Sequence, residues 1–182
     1  MGYQRFLISS LGAVALAVAA PAAANAASAV VTGTVTGSAL SLTTSAAPSF
    51  SANLDLGDST PTYTAALAVT DTRGTGAGWN ATITSTQFTT GTQTLATNAS
   101  SMTGVTSLCA SGTCTNPTNA IAYPVAVPAA PAPPTAVKFF NAAANTGMGK
   151  FTNTPTIGVF VPQSSFAGTY TSTLTLAVVT GP

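Results

Sequence analysis

The sequence contains no histidine and no glutamate, and its only acidic residues are Asp55, Asp58 and Asp71. A Ser–His triad, a glutamate acid–base pair and a histidine-containing zinc site therefore cannot be assembled. A glycosidase needs two carboxyl groups at a controlled separation, and this chain has only three aspartates from which to form such a pair. The sequence predicts a protein that is not an enzyme and that holds no metal and no cofactor.

Charge is also scarce, because charged residues make up 4% of the chain against about 25% in an average soluble domain. After the first few residues the cations are Arg73, Lys138 and Lys150, which balance the three aspartates. Nucleic acids and anionic lipids are bound by clustered lysines and arginines. We therefore expect neither as a partner, and a neutral, hydroxyl-rich surface suits a protein that lives among polysaccharide.

The first 26 residues have the pattern of a cleaved signal peptide. A positively charged start at 1–5 precedes an apolar run at 6–20 and the small-residue pattern Ala-Asn-Ala at 24–26, as in secreted proteins. The alternative is a membrane helix, but the run is shorter than the roughly 20 residues that span a bilayer. We expect a secreted mature protein from about Ala27, with no integral membrane segment.

Two cysteines, Cys109 and Cys114, are the only ones in the chain and lie in a turn-rich stretch. In an exported protein an even cysteine count favours a local disulfide. A metal site would need more ligands, and a redox site more often has the Cys-x-x-Cys spacing.

Apolar and hydroxyl side chains alternate along several segments, at 62–70, 79–84, 157–161 and 170–178. This period of two is typical of half-buried antiparallel strands, and clusters rich in glycine separate the segments. No long helical periodicity follows the signal. The pattern predicts an all-β fold, an antiparallel β-sandwich of the Ig-like or Greek-key type, as a single domain over 27–182.

The segment at about 89–135 is less regular, and residues 121–134 carry five prolines. Proline is confined to sheet edges or to extended connections, because it has no backbone N–H to donate. We interpret 89–135 as an irregular insertion that decorates the sandwich. A linker between two small domains is the alternative.

Two parts of the chain resemble WxL-domain proteins, cell-surface proteins of Gram-positive bacteria that associate with peptidoglycan without a covalent anchor. The first is Val-Thr-Asp-Thr-Arg-Gly-Thr-Gly-Ala-Gly-Trp-Asn-Ala at 69–81, similar to the approach to the family's first Trp-x-Leu motif. The second comprises Gly-Met-Gly-Lys-Phe at 147–151, Val-Pro at 161–162 and the strand at 168–178, similar to the family's closing strand.

The signature itself is only partly kept. Trp79 is present, but Ala81 stands where the first motif has leucine, and Leu176-Ala-Val178 stands where the second motif has Trp-x-Leu. The resemblance implies the β-sandwich fold and noncovalent association with the cell wall, with a wall glycan or peptidoglycan as partner. No sorting motif follows the last predicted strand, in keeping with noncovalent attachment or release.

The candidate ligand-binding residues are Trp79, Asp71 and Arg73. Trp79 is either a platform that stacks on a sugar ring or a core residue, and its alternation with Ile83 favours the core. The side chains of Asp71 and Arg73 project from the same face of an extended strand, about 7 Å apart. We expect them to pair with each other or with backbone groups and to order the glycine-rich loop before Trp79.

The leading hypothesis is a non-catalytic, secreted surface protein that associates noncovalently with the cell wall through peptidoglycan or another glycan. The alternative is a subunit of a surface fibre or adhesin, in which an alternating segment such as 29–36 adds as a strand to another surface protein. A soluble sugar-binding module is a third hypothesis.

Overall fold

The computed structural model describes residues 29–182, so the predicted signal peptide and its cleavage site lie outside the described residues. Ten strands and one short 3-10 helix (Leu54–Leu56) occur in this range, and none of its helices has the length and apolar character needed to cross a membrane. The strands are β1 (Leu40–Thr44), β2 (Thr62–Thr64), β3 (Leu67–Asp71), β4 (Trp79–Thr86), β5 (Ser100–Thr115), β6 (Val125–Ala126), β7 (Ala129–Ala130), β8 (Val137–Ala142), β9 (Met148–Val159) and β10 (Leu174–Thr180).

The strands form two sheets. The larger sheet has the order β1-β3-β9-β5-β6, and β2 pairs with β9 beyond the end of β3. The smaller sheet has β4 at its centre, with β10 on one side and with β8 and β7 on the other. All pairs are antiparallel except the two-residue pair of β4 with β7. The predicted all-β, antiparallel fold is confirmed.

Side chains from both sheets share one apolar core, as the alternating segments predict. Strands β2 and β3 contribute Tyr63, Leu67 and Val69 to this core, and β4 contributes Trp79, Ala81 and Ile83. The intervening threonines of β2 and β3 are exposed or half-buried, because successive side chains of a strand point to opposite faces.

The structure of the 89–135 segment differs from the predicted irregular insertion. β5 is the longest strand of the described chain, with 16 residues, and it lies between β9 and β6 inside the larger sheet. Met102 and Val127 are fully buried in the core. The segment therefore supplies part of the scaffold, and the five prolines of residues 121–134 lie around the short strands β6 and β7.

Residues 29–36, predicted to alternate as a strand, belong to none of the strands of the described structure. Val30, Val31 and Val35 are 96%, 92% and 98% exposed. We call residues 29–36 the N-terminal arm.

Candidate functional site

Asp71 and Arg73 form the ion pair that the sequence predicts, at the end of β3. The Arg73 Nε lies 2.8 Å from Asp71 Oδ1, and Nη2 lies 2.8 Å from Oδ2, so that the contact is bidentate. Asp71 is buried and Arg73 is 14% exposed. The side-chain hydrogen bonds from Arg73 hold the pKa of Asp71 below its ordinary value, although burial acts in the opposite direction.

The same guanidinium also binds the glycine-rich loop and the last strand. Arg73 Nη2 donates to the Gly78 carbonyl at 2.8 Å, and Nη1 donates to the Thr180 hydroxyl at 2.7 Å. Arg73 therefore connects β3, the residue before Trp79 and the end of β10. These contacts agree with a role in ordering the loop, while a role of the pair in ligand binding stays a prediction.

Trp79 is a core residue. Its side chain is 0% exposed, and its indole Nε1 donates to the Gly147 carbonyl at 2.9 Å. Gly147 has a φ of 68°, and a Cβ there would lie 2.7 Å from that nitrogen, so only glycine fits. Of the two interpretations of Trp79, the structure matches the core one, because the buried indole offers no face on which a sugar could stack.

The two positions of the signature motif are neighbours in the smaller sheet. In the antiparallel register of β4 and β10, Ala81 lies opposite Val178 and Trp79 lies opposite Thr180. Ala81 is buried, and Val178 packs against the core. These residues therefore help to hold β4 and β10 together and to join the smaller sheet to the core.

Cys109 and Cys114 are joined by the predicted disulfide, with their Cα atoms 5.9 Å apart. The bond lies on β5 where its register with β9 shifts. Cys114 also packs against Gly149 of β9, where a Cβ would lie 2.9 Å from the sulfur. The disulfide thus holds an irregular part of the larger sheet.

Asp58, one of the remaining two aspartates, fixes a loop. Its Oδ1 accepts a hydrogen bond from the Gln163 backbone N–H at 2.8 Å.

The described chain contains a groove of about 1010 Å³, which we call the aromatic groove. One side is formed by residues 46–54, which follow β1, and the other by residues 165–173, which precede β10. Tyr63, Phe88 and Leu95 line it between these two sides.

Three of the aromatic rings that line this groove pack against one another. The ring centroid of Phe50 lies 6.1 Å from that of Tyr63 in a nearly parallel arrangement and 5.5 Å from that of Phe88 at a near-right angle. Burial raises the pKa of Tyr63 to about 12, so its phenol is neutral at physiological pH.

A fourth ring, Phe166, lies at the rim of the groove and is 64% exposed. The Tyr170 hydroxyl donates to the Phe166 carbonyl at 3.0 Å, which fixes the loop that carries Phe166. The other rim residues are rich in hydroxyl groups: Ser49, Ser51, Ser165, Thr169, Thr171 and Thr173. Within the described residues 29–182, no side chain that lines the groove is charged.

This combination suits a neutral ligand that has both apolar faces and hydroxyl groups. Ligand sites are usually apolar clefts with a few polar groups that fix orientation. The sequence interpretation missed this groove, because Phe50, Phe88 and Phe166 lie outside the alternating segments. The available signal was aromatic residues placed singly in stretches of serine, threonine and glycine.

The comparison with protein families agrees with this architecture. The model of the WxL domain, described as surface cell wall-binding, matches residues 22–182. This chain belongs to the WxL domain family. No curated protein and no solved structure matches it significantly.

The WxL match covers the whole described structure, including β5 and the proline-rich segment, and not only the two stretches around Trp79 and the closing strand. Membership in this family indicates a cell-wall-binding protein of the cell surface. The predicted resemblance to WxL proteins and the predicted surface localisation are thereby confirmed.

Proposed function

We propose that this WxL domain attaches noncovalently to the cell wall by binding a wall glycan in the aromatic groove, and that it does no chemistry on the glycan. The observation that carries the proposal is the groove itself, with aromatic rings inside, hydroxyl groups at its rim and no charged side chain among its described lining residues. Its volume is at the upper end of the range of about 300–1000 Å³ that is common for ligand sites.

A sugar ring needs the two kinds of group that the groove presents. Its C–H face packs on an aromatic face, which carries a large apolar area at a small cost in conformational entropy. Its hydroxyl groups exchange hydrogen bonds with serine and threonine, which both donate and accept.

The charge distribution favours a neutral glycan over an anionic wall polymer. Recognition of phosphate or carboxylate relies on arginine and lysine. The described cations are Arg73, which is paired with Asp71, and Lys138 and Lys150, and none of them lines the groove.

Co-sedimentation with purified peptidoglycan sacculi tests the proposal. The mature wild-type protein should pellet saturably, and Phe166→Ala should weaken binding about tenfold, since truncating an aromatic anchor commonly costs more than about 1 kcal/mol. Phe160→Ala is the matched control, because Phe160 is 43% exposed but does not line the groove. Absence of pelleting by the folded wild type would refute the proposal. Equal losses of binding in both variants would show that the groove is not the binding site.

A second candidate function, a subunit of a surface fibre, is favoured by the N-terminal arm. Its three exposed valines are apolar, and the outer edges of β1 and β10 have no neighbouring strand in the described chain. Such edges can accept a strand from another molecule. Analytical ultracentrifugation should then show concentration-dependent oligomers that disappear when residues 29–36 are deleted, and a strict monomer at high concentration would exclude this function.

A further inference from the structure

A second, smaller depression of about 360 Å³ adjoins the aromatic groove. It is lined by Thr86, Gln87 and Thr89 at the end of β4 and beyond, by Thr94, and by Pro131 of the proline-rich segment. Residues 171–173 line both the depression and the groove, so the two are separated only by this strip of chain.

The strip between the two is held on Thr86, the last residue of β4, and on Thr89, three residues further along the chain. Thr171 and Thr89 exchange backbone hydrogen bonds of 2.9 and 3.0 Å. The Ser172 hydroxyl donates to the Thr86 carbonyl at 2.6 Å, and the Thr173 N–H donates to the Thr86 hydroxyl at 2.7 Å. The strip is therefore a fixed ridge that keeps the groove and the depression at a constant separation.

The two concave surfaces differ in chemistry. No aromatic side chain lines the depression, whose described lining carries a hydroxyl or an amide on every side chain except Pro131. Gln87 Nε2 donates to the Leu95 carbonyl at 2.7 Å, which orients the carboxamide and leaves its oxygen free to accept. The groove thus offers stacking surfaces, and the depression offers hydrogen-bonding groups. As in the groove, none of the described residues that line the depression is charged.

We infer that the groove and the depression are two subsites of one binding site for an extended, uncharged glycan chain that crosses the ridge at residues 171–173. Sugars at one end of the chain stack in the groove, and sugars farther along the chain, beyond the ridge, present their hydroxyl groups to Gln87 and Thr94. Pro131 forms the far side of the second subsite, which gives the proline-rich segment a part in binding. This inference rests on the proposed function and names the ligand class of the same site.

Isothermal titration with fully N-acetylated chito-oligosaccharides, which are uncharged, tests the inference. The wild-type affinity should rise about tenfold from the disaccharide to the hexasaccharide, since a few additional hydrogen bonds correspond to a step of that size. Thr94→Trp should fill the depression from its exposed side and remove the gain in affinity with length. Thr175→Trp is the control, because Thr175 is also exposed and lines neither surface.

The outcomes separate the inference from the proposed function. The two-subsite inference alone is overturned if sacculi pellet the protein through Phe166 but one of three results is found. Affinity for the oligosaccharides is absent, it does not depend on their length, or its dependence on length is the same in Thr94→Trp as in the wild type. If the wild type does not bind sacculi, the proposed function itself fails.

Discussion

Replacing Arg73 by alanine should destabilise the domain more than removal of any other single cation in the described chain. Arg73 makes two hydrogen bonds to the buried carboxylate of Asp71 and further ones to Gly78 and Thr180. The variant leaves the Asp71 charge buried without its partner and releases the loop before Trp79.

The magnitude follows from the burial of the pair. Breaking a buried ion pair by removing one partner costs about 3–5 kcal/mol. Because Arg73 is 14% exposed and not fully buried, we expect the lower end, about 3 kcal/mol. For a domain of this size that corresponds to a fall in the melting temperature of about 10 °C.

The loss should depend on pH. In the wild type the hydrogen bonds from Arg73 depress the pKa of Asp71, so the pair contributes stability above about pH 4, the unfolded pKa of aspartate, and this stability is lost as the pH falls. In Arg73→Ala burial without a partner should raise the pKa of Asp71, so the destabilisation is largest at neutral pH and shrinks in acid.

Urea denaturation of both proteins between pH 3 and pH 7 measures this difference. Lys138→Ala is the control, because it removes the same charge from an exposed side chain whose Nζ only donates to the Pro182 carbonyl at 3.3 Å. An Arg73→Ala variant with the wild-type free energy of unfolding, or with a loss that does not change with pH, would refute the reasoning.

Three further predictions concern stability. Both side-chain amide atoms of Asn153 are buried without partners in the described chain, as is the Ser107 hydroxyl opposite it. Asn153→Leu should therefore raise the free energy of unfolding by about 1–3 kcal/mol. A lower free energy of unfolding in urea denaturation would contradict this. Trp79→Phe removes the hydrogen bond to Gly147 and part of the core and should cost about 2–3 kcal/mol without changing sacculus binding by the folded protein. Weaker binding would restore the platform interpretation of Trp79. Reduction of the Cys109–Cys114 disulfide, which closes a loop with a sequence separation of 5, should cost about 2 kcal/mol, and an unchanged melting temperature in reductant would show that the bond constrains nothing.

The fold was predictable where side-chain alternation reports burial directly. Leu67 and Val69 alternate with exposed or half-buried residues, and they lie in the core as expected. β5 escaped prediction because its sequence is mostly small and hydroxyl side chains, and only Met102 is a large, fully buried residue in it. Its place in the sheet comes from backbone pairing with β9, which leaves no periodic signal in the side chains.

The site was less predictable than the fold. Asp71 and Arg73 are two residues apart, so their pairing follows from local strand geometry. Phe50, Phe88 and Phe166 are far apart in the sequence and meet only because two sheets bring their loops together. Such a juxtaposition depends on tertiary topology, which a single sequence does not encode in any local pattern.

The most direct test of the central claim is to locate the glycan on the protein by NMR. Titration of the isotope-labelled mature protein with fully N-acetylated chito-hexaose should shift the amide signals of residues 46–54 and 165–173, together with the ring signals of Phe50 and Phe166. Signals of the outer face of the larger sheet, such as those of Thr152 and Thr154, should not move. Shifts confined to that face, or to the surroundings of Trp79, would contradict the assignment of glycan binding to the aromatic groove.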